Sequence, residues 1–314
     1  MSNYRWGIIG LGGIAHYFAK TFKNTESEIY GVASRSYETV KAFSKEFAIP
    51  MAYESTDALL ADPKNDFVYI SAPNNAHHEY VMAALHAGKH VLCEKAITRD
   101  YQELAEEVAL ANEKNLILQE AMTIFNMPLY TELKKIADSG KFGKLKMIQA
   151  PFGVYQEPDP TNRFFNPDLG GGALLDIGTY AVSFARYFLN ETPEVLFSNA
   201  LLFETGVDEQ SVTVLRNSLD EMAVVTMAFQ ARFPIDGTVS YEHATIAIAD
   251  YIRADTAEIT YADGTKETLQ VGDREQAFNY EVDNFVAAVN TGANQTLPLT
   301  EDVIQILDGM RRFW

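Results

Sequence analysis

The sequence predicts an α/β chain in two parts. Residues 1–121 read as a doubly wound parallel-sheet domain, and 122–314 as an α+β domain with an open, mostly antiparallel sheet. Three observations predict it. Short apolar runs alternate with amphipathic segments as far as residue 120, and a glycine-rich turn closes the first of these runs. Beyond Ala121 the pattern changes to short alternating runs separated by turn residues, as in antiparallel sheets.

The first run, Tyr4–Gly10, opens a G-x-G-x-x-A spacing made by Gly10, Gly12 and Ala15. Gly10 permits a tight strand-to-helix turn, Gly12 lets backbone approach a pyrophosphate, and Ala15 lets the helix pack closely on the strand. The helix that follows, striped by Ile14, Phe18 and Phe22, then aims its first N–H groups at phosphate. Further strands are predicted at Glu28–Ser34, Asp66–Ser71, His90–Cys93 and Leu116–Gln119, with helices over 13–23, 37–47, 75–87 and 100–114. Gly88 caps the third helix, and Tyr101, Leu104, Ala105 and Val108 stripe the fourth.

After Ala121 come a helix over 128–139 ended by Gly140, a strand over 145–150, a Pro/Asp/Asn-rich loop over 151–169 and a helix over 172–189. Val212/Val214, Val224/Val225/Met227, Ile246/Ile248 and Ala257/Ile259/Tyr261 then alternate, with Asp263-Gly264 as a turn. Phe278, Val282, Phe285, Val286 and Val289 stripe one closing helix. Val303, Ile306, Leu307 and Met310 stripe the other, with Thr300 as its expected cap.

The 314 residues are 47% apolar and 22% charged, an ordinary globular composition. A net charge of −18, from 43 acidic against 25 basic residues, argues against nucleic acid or an anionic membrane as partner. The acidic residues are dispersed, which reads as solubility. The single cysteine, Cys93, allows no intramolecular disulfide and no thiolate metal site. Met-Ser-Asn-Tyr-Arg-Trp runs straight into the first strand, and no run approaches the ~20 apolar residues of a membrane span. The expectation is a cytoplasmic protein with small-molecule partners and no metal.

In open parallel sheets ligands bind beyond the C-terminal strand ends. Ser34-Arg35-Ser36 follows the second strand, about 24 residues past Gly10. It offers no carboxylate for a ribose 2′-hydroxyl but does offer donors for a 2′-phosphate, favouring NADP while leaving NAD possible. Pro73 and Asn74 end the next strand beside the cofactor, and His77 opens a helix where a polar group would face the nicotinamide. His78 aligns with Val81, Met82 and Leu85 at a core margin.

Cys93-Glu94-Lys95 ends a further strand. There a lysine either donates to a substrate oxygen or pairs with Glu94 on the surface, while Cys93 reads as a small buried hydrophobe. In the second part, Asp176 and Tyr180 stand at i and i+4 after Gly170-Gly171-Gly172. A carboxylate beside a phenol suits proton transfer, with an ordinary helix-surface hydrogen bond as the alternative. A free phenol, with pKa near ~10, needs a shift of about 3 units, roughly 4 kcal/mol, to act as a base near neutrality. An ammonium such as that of Lys95 would supply it.

Together these motifs resemble the Gfo/Idh/MocA family of NAD(P)-dependent oxidoreductases over essentially the whole chain. Gly10-Leu-Gly-Gly-Ile-Ala15 resembles its nucleotide motif, Ala72-Pro-Asn-Asn-Ala-His77 its post-strand signature, and Ala87-Gly-Lys-His-Val-Leu-Cys-Glu94-Lys95 its Glu-Lys-Pro segment. Gly171-Gly-Ala-Leu-Leu-Asp176-Ile-Gly-Thr-Tyr180 resembles its Asp-x-Gly-x-His/Tyr motif. Tyr180 and Glu204-Thr-Gly-Val-Asp208 are most similar to the dimeric dihydrodiol dehydrogenase and NADP-dependent xylose dehydrogenase branch.

The resemblance implies a Rossmann domain and a second domain whose open sheet makes a homodimer or homotetramer. It implies hydride transfer between NADP(H) and a carbinol or carbonyl carbon of a sugar, polyol or related alicyclic alcohol. Gly10, Gly12, Gly13, Ile14, Ser34, Arg35, Ala72, Pro73, Asn74, His77, Glu94 and Lys95 would bind cofactor. Lys95, Asp176 and Tyr180 would be catalytic and, with Arg163, bind substrate. In that scheme Tyr180 exchanges the hydroxyl proton, Lys95 lowers its pKa and Asp176 orients. Two positions depart from the pattern: Ala96 replaces a proline, and Phe125 stands where the segment often carries an arginine, with Arg163 as replacement. The rival readings are a non-catalytic dinucleotide- and sugar-binding sensor and a reductase of another carbonyl or imine class.

Overall fold

Strand β1 (Tyr4–Ile9) is buried from Trp6 onward, and its neighbour β4 (Phe67–Ile70) is apolar and buried throughout. A strand covered on both faces by helices requires this. A computed structural model describes residues 4–24 and 26–314; Met1–Asn3, the expected lead-in to β1, lies outside them. After β1 come α1 (Gly13–Thr21), β2 (Ser27–Ala33), α2 (Tyr37–Glu46), β3 (Met51–Ala52), α3 (Thr56–Ala61), β4 (Phe67–Ile70), α4 (His77–His86), β5 (His90–Glu94), α5 (Tyr101–Lys114) and β6 (Leu118–Ala121).

The six strands are all parallel, in the order β3-β2-β1-β4-β5-β6. The order reverses between β1 and β4, which opens a crevice at their C-terminal ends. The sequence reading lacked β3 and α3, which are too short to show a period. In the stripe of α5 it took Ala105 for an inward position and missed Glu107. Leu104, Glu107, Leu110 and Ala111 are buried there, and Ala105 is exposed. Glu107 takes a core position because His78 Nδ1 of α4 lies 3.0 Å from its carboxylate. Burial raises the Glu107 carboxyl to about 7, and the hydrogen bond to Glu107 raises the His78 imidazole.

The second unit continues with α6 (Thr123–Asn126), α7 (Pro128–Asp138), β7 (Leu145–Tyr155), a π turn over Leu174–Gly178 and α8 (Thr179–Phe188). Then come β8 (Glu194–Leu202), β9 (Asp208–Arg216), β10 (Met222–Ala228), β11 (Gln230–Phe233), β12 (Gly237–Tyr241), β13 (Ala244–Ile248), β14 (Thr256–Tyr261) and β15 (Lys266–Gln270). Eight of these strands run β15-β14-β13-β12-β7-β10-β9-β8, and β11 pairs with β7. Only β7 and β10 pair in parallel, so the sheet is mostly antiparallel. One face is buried through Thr213, Leu215, Ala223, Val225, Val239 and Ile246; on the other, Phe197, Leu201 and Val212 are exposed.

The closing helices are α9 (Ala277–Thr291) and α10 (Leu297–Arg311). Residues Phe278–Leu297 pack with the chain through Ala121, whereas Pro298–Trp314 join Met122–Ala277; the sequence reading had put all of 278–297 in the second part. The physical reason is aromatic. Phe285 meets Trp6 and Phe67 with ring centroids 5.1 and 5.2 Å apart, and Phe278 meets Tyr17 at 5.0 Å. Thr300 is not the cap of α10: the helix starts at Leu297, and the Thr300 side chain is fully buried within it.

Phe285→Ala is therefore expected to destabilise the first unit by about 3–5 kcal/mol. Denaturant unfolding measures this, and an unchanged midpoint would remove α9 from that core.

Candidate active site

Gly10 closes β1 with a φ of +89°, and a Cβ there would stand 2.7 Å from Ala72 N and 2.8 Å from Ser71 O. No side chain fits, so this glycine is demanded by the fold itself. The Ser71 hydroxyl donates to Gly10 O at 2.8 Å, and Gly10 N–H donates to Ala33 O at 3.1 Å. The ends of β1, β2 and β4 are thereby fixed together at the crevice.

Gly12 and Gly13 are different. A Cβ on either would meet no atom within 4 Å, and no side chain caps the first turn of α1. The fold does not need glycine at these two positions, but an anion seated on the open N–H groups of the helix start would. Ile14 lies in that same turn, and Ala15 is fully buried beneath it. At the end of β2, Ser34 is half-buried and Arg35 exposed, with no carboxylate paired to Arg35 among the described residues. Ser36 is used structurally: its hydroxyl oxygen accepts Thr39 N–H at the start of α2. Donors without a carboxylate fit a 2′-phosphate better than a free ribose hydroxyl.

Past β4, Pro73 is exposed and Asn74 half-buried, in a short 3-10 turn. The structure gives His77 a different job from facing the nicotinamide. It is fully buried, with Nε2 2.8 Å from Ala72 O and Nδ1 2.9 Å from Ala96 O. Burial holds its pKa below the ordinary value, against the upward pull of the backbone at Ala72, Ala96 and Ile97. His77 thus ties the turn after β4 to the turn after β5.

Glu94 is likewise turned inward, accepting the Tyr69 hydroxyl at 2.5 Å. Cys93 is buried, and burial pushes its thiol well up. Lys95 is half-buried, the Lys95–Ala96 peptide is cis, and Ile97 N–H donates to Glu120 Oε1 at 3.1 Å. Glu120 supports the lysine turn and escaped the sequence reading. Its only signal was a carboxylate in a short, fully buried strand, where Leu118 and Ala121 flank Gln119 and Glu120.

In the second unit Asp176 sits within the π turn, and Tyr180 in the first turn of α8 behind it. Such turns are rare and concentrate at functional sites. Arg163, from the long loop, brings NH1 to 3.6 Å from Asp176 Oδ1 and lies over the Phe164 ring at 4.2 Å. Tyr180 has Phe152 at 6.1 Å between ring centroids. Phe125 is buried and stacks on Tyr187 at 6.2 Å, a packing role in place of an anchor. Arg163 and Asp176 therefore meet, with Tyr180 following at the start of α8, while Lys95 belongs to the first unit.

Comparison with known proteins gives the family. Residues 4–122 match the model of an oxidoreductase family with an NAD-binding Rossmann fold, and residues 130–247 match the Gfo/Idh/MocA C-terminal domain. A Xenopus laevis trans-1,2-dihydrobenzene-1,2-diol dehydrogenase is 33% identical over 268 residues, 83% of this chain and 80% of that one. The chain belongs to the Gfo/Idh/MocA oxidoreductases. A Haloferax volcanii D-xylose 1-dehydrogenase (NADP(+)) is 31% identical over 303 residues, 95% of this chain and 93% of its own. A 3-ketoreductase from Actinomadura kijaniata, solved with NADP and TDP-benzene, shares the fold at a TM-score of 0.88 and 24% identity, covering 99% of this chain and 98% of that one.

As a Gfo/Idh/MocA oxidoreductase the chain binds its dinucleotide on the Rossmann unit. The open space over Gly12 and Gly13 leaves room for a pyrophosphate at the helix start. Gly12→Val is expected to cost less than ~1 kcal/mol of stability, since nothing in the fold opposes it, yet to weaken NADPH binding at least ~10-fold. Thermal unfolding and a fluorescence titration check both halves, and undiminished binding would take the pyrophosphate elsewhere.

Proposed function

We propose that the chain interconverts a secondary alcohol and its carbonyl on a vicinal diol, aldose or related cyclic polyol, with NADP(H) as redox partner. The observation that carries this reading is the contact of Arg163 with Asp176 on a π turn that leads directly into Tyr180. The named activities of the Xenopus and Haloferax relatives support the substrate class.

When bound, the nicotinamide supplies the hydride acceptor or donor. The chain does the rest. Gly12, Gly13 and Ile14 would hold the pyrophosphate on backbone N–H groups, and Ser34 and Arg35 the 2′-phosphate. Ala72, Pro73 and Asn74 would border the nicotinamide end. Tyr180 Oη would take the hydroxyl proton as the alcohol is oxidised and return it on reduction. The Lys95 ammonium would favour the phenolate, and Asp176 would orient the substrate hydroxyl. Arg163, exposed and stacked on Phe164, would trade its contact with Asp176 for a substrate oxygen.

The open sheet face carrying Phe197, Leu201 and Val212 would be covered by a second copy of the chain. A cytoplasmic setting is supported by the lone, buried Cys93. Among the described residues no helix is long and apolar enough to cross a membrane.

Tyr180→Phe is expected to lower kcat at least ~100-fold and leave NADPH affinity unchanged. Turnover near that of the unmodified enzyme would take Tyr180 out of the chemistry.

A further inference from the structure

The Glu204–Asp208 stretch takes no part in the chemistry above. It forms the tip of the β8–β9 hairpin, closed by Phe203 N–H donating to Val207 O and Gly206 N–H to Phe203 O, both at 2.8 Å. This tip grips the chain ahead of α8 at three points. Phe203 packs on the fully buried Phe165 with ring centroids 4.4 Å apart. The Thr205 hydroxyl donates to Phe165 O at 2.6 Å, and Leu174 N–H donates to Asp208 Oδ2 at 2.6 Å.

Leu174 is the first residue of the π turn. The opening N–H groups of a helical segment need acceptors, usually from the residue just before it. The helical run leading into the π turn opens at Ala173, and the residue before it, Gly172, has a φ of +120° and no side chain to offer. A Cβ on it would lie 2.4 Å from Asp208 Oδ1. The cap therefore comes from another strand, and the glycine is what lets it in. A carboxylate at this end also opposes the positive pole of the helix.

We propose that Asp208 is a positioning residue that fixes the π turn through Leu174 N–H, and so sets where Asp176 and Tyr180 stand. This rests on the reading of Asp176 and Tyr180 as the proton-handling pair. Burial raises the Asp208 carboxyl to about 6, while the N–H groups of Leu174 and Ala173 and the charge of Arg311 on α10 act downward. At pH 8 it is the carboxylate that caps.

The test is steady-state kinetics of the full chain at pH 8, with the diol or aldose that the unmodified enzyme oxidises, alongside NADPH titration. Asp208→Ala is expected to lower kcat at least ~10-fold while leaving NADPH affinity within ~2-fold, because the loss is one of aim. Asp208→Asn keeps an oxygen for Leu174 N–H and is expected to recover most of that loss. Gly172→Ala, which crowds the carboxylate without removing it, is expected to show the same kcat loss and serves if Asp208→Ala does not fold. Full turnover in Gly172→Ala or Asp208→Ala, or equal losses in the Ala and Asn variants, would overturn the positioning role. Tyr180→Phe run in parallel separates the two ideas. A slow Tyr180→Phe beside a fast Asp208→Ala removes only the positioning role, whereas a fast Tyr180→Phe removes the proton-handling pair itself.

Discussion

The first unit is built on one close approach. Gly10 brings the end of β1 so near the Ser71–Ala72 backbone that a methyl group would collide at 2.7 Å. Because the strand order reverses there, that approach decides where the crevice lies and which backbone groups border it. From Ala72 the connection runs on through His77 to Ala96, and so to the turn that carries Lys95. Helix start, the turn after β4 and the lysine turn are thus tied together within the unit by the Gly10 approach and the buried His77 ring. An open helix start would let a chain of net charge −18 serve an anionic cofactor, since attraction by N–H groups is local and needs no basic field.

The second unit solves a different problem, the placing of a short polar pair on a helix that begins after three glycines. The π turn puts Asp176 and Tyr180 at its junction with α8, and the long loop adds Arg163. The sheet beneath them is buried on the face with Thr213 and Leu215 and exposes Phe197 and Leu201 on the other.

Much of this was legible in the sequence. Periodicity placed five of the six strands of the parallel sheet to within two residues, and the glycine spacing marked the turn after β1. What escaped was set by partners distant in the chain. Nothing in the stripe of Phe278, Val282 and Phe285 says that it packs on Trp6 rather than on the sheet before it. The face of α5 was misjudged because Glu107 counts as polar until His78 satisfies it in the core. His77 looked like a group for a ligand because its partners, two backbone carbonyls, leave no trace in the sequence. The spacing of Asp176 and Tyr180 is the same whether the backbone between them is α or π, so the turn itself was invisible.

The most direct test of the account is a nicotinamide-fluorescence titration of the unmodified chain with NADPH and NADH side by side. If the anion sits on the start of α1 and the 2′-phosphate on Ser34 and Arg35, NADPH binds at least ~10-fold tighter, as a charge-assisted contact of about 1.5–3 kcal/mol gives. NADH binding as tightly as NADPH would contradict the assignment of Ser34 and Arg35, and binding of neither would contradict the cradle at Gly12 and Gly13 on which the whole reading stands.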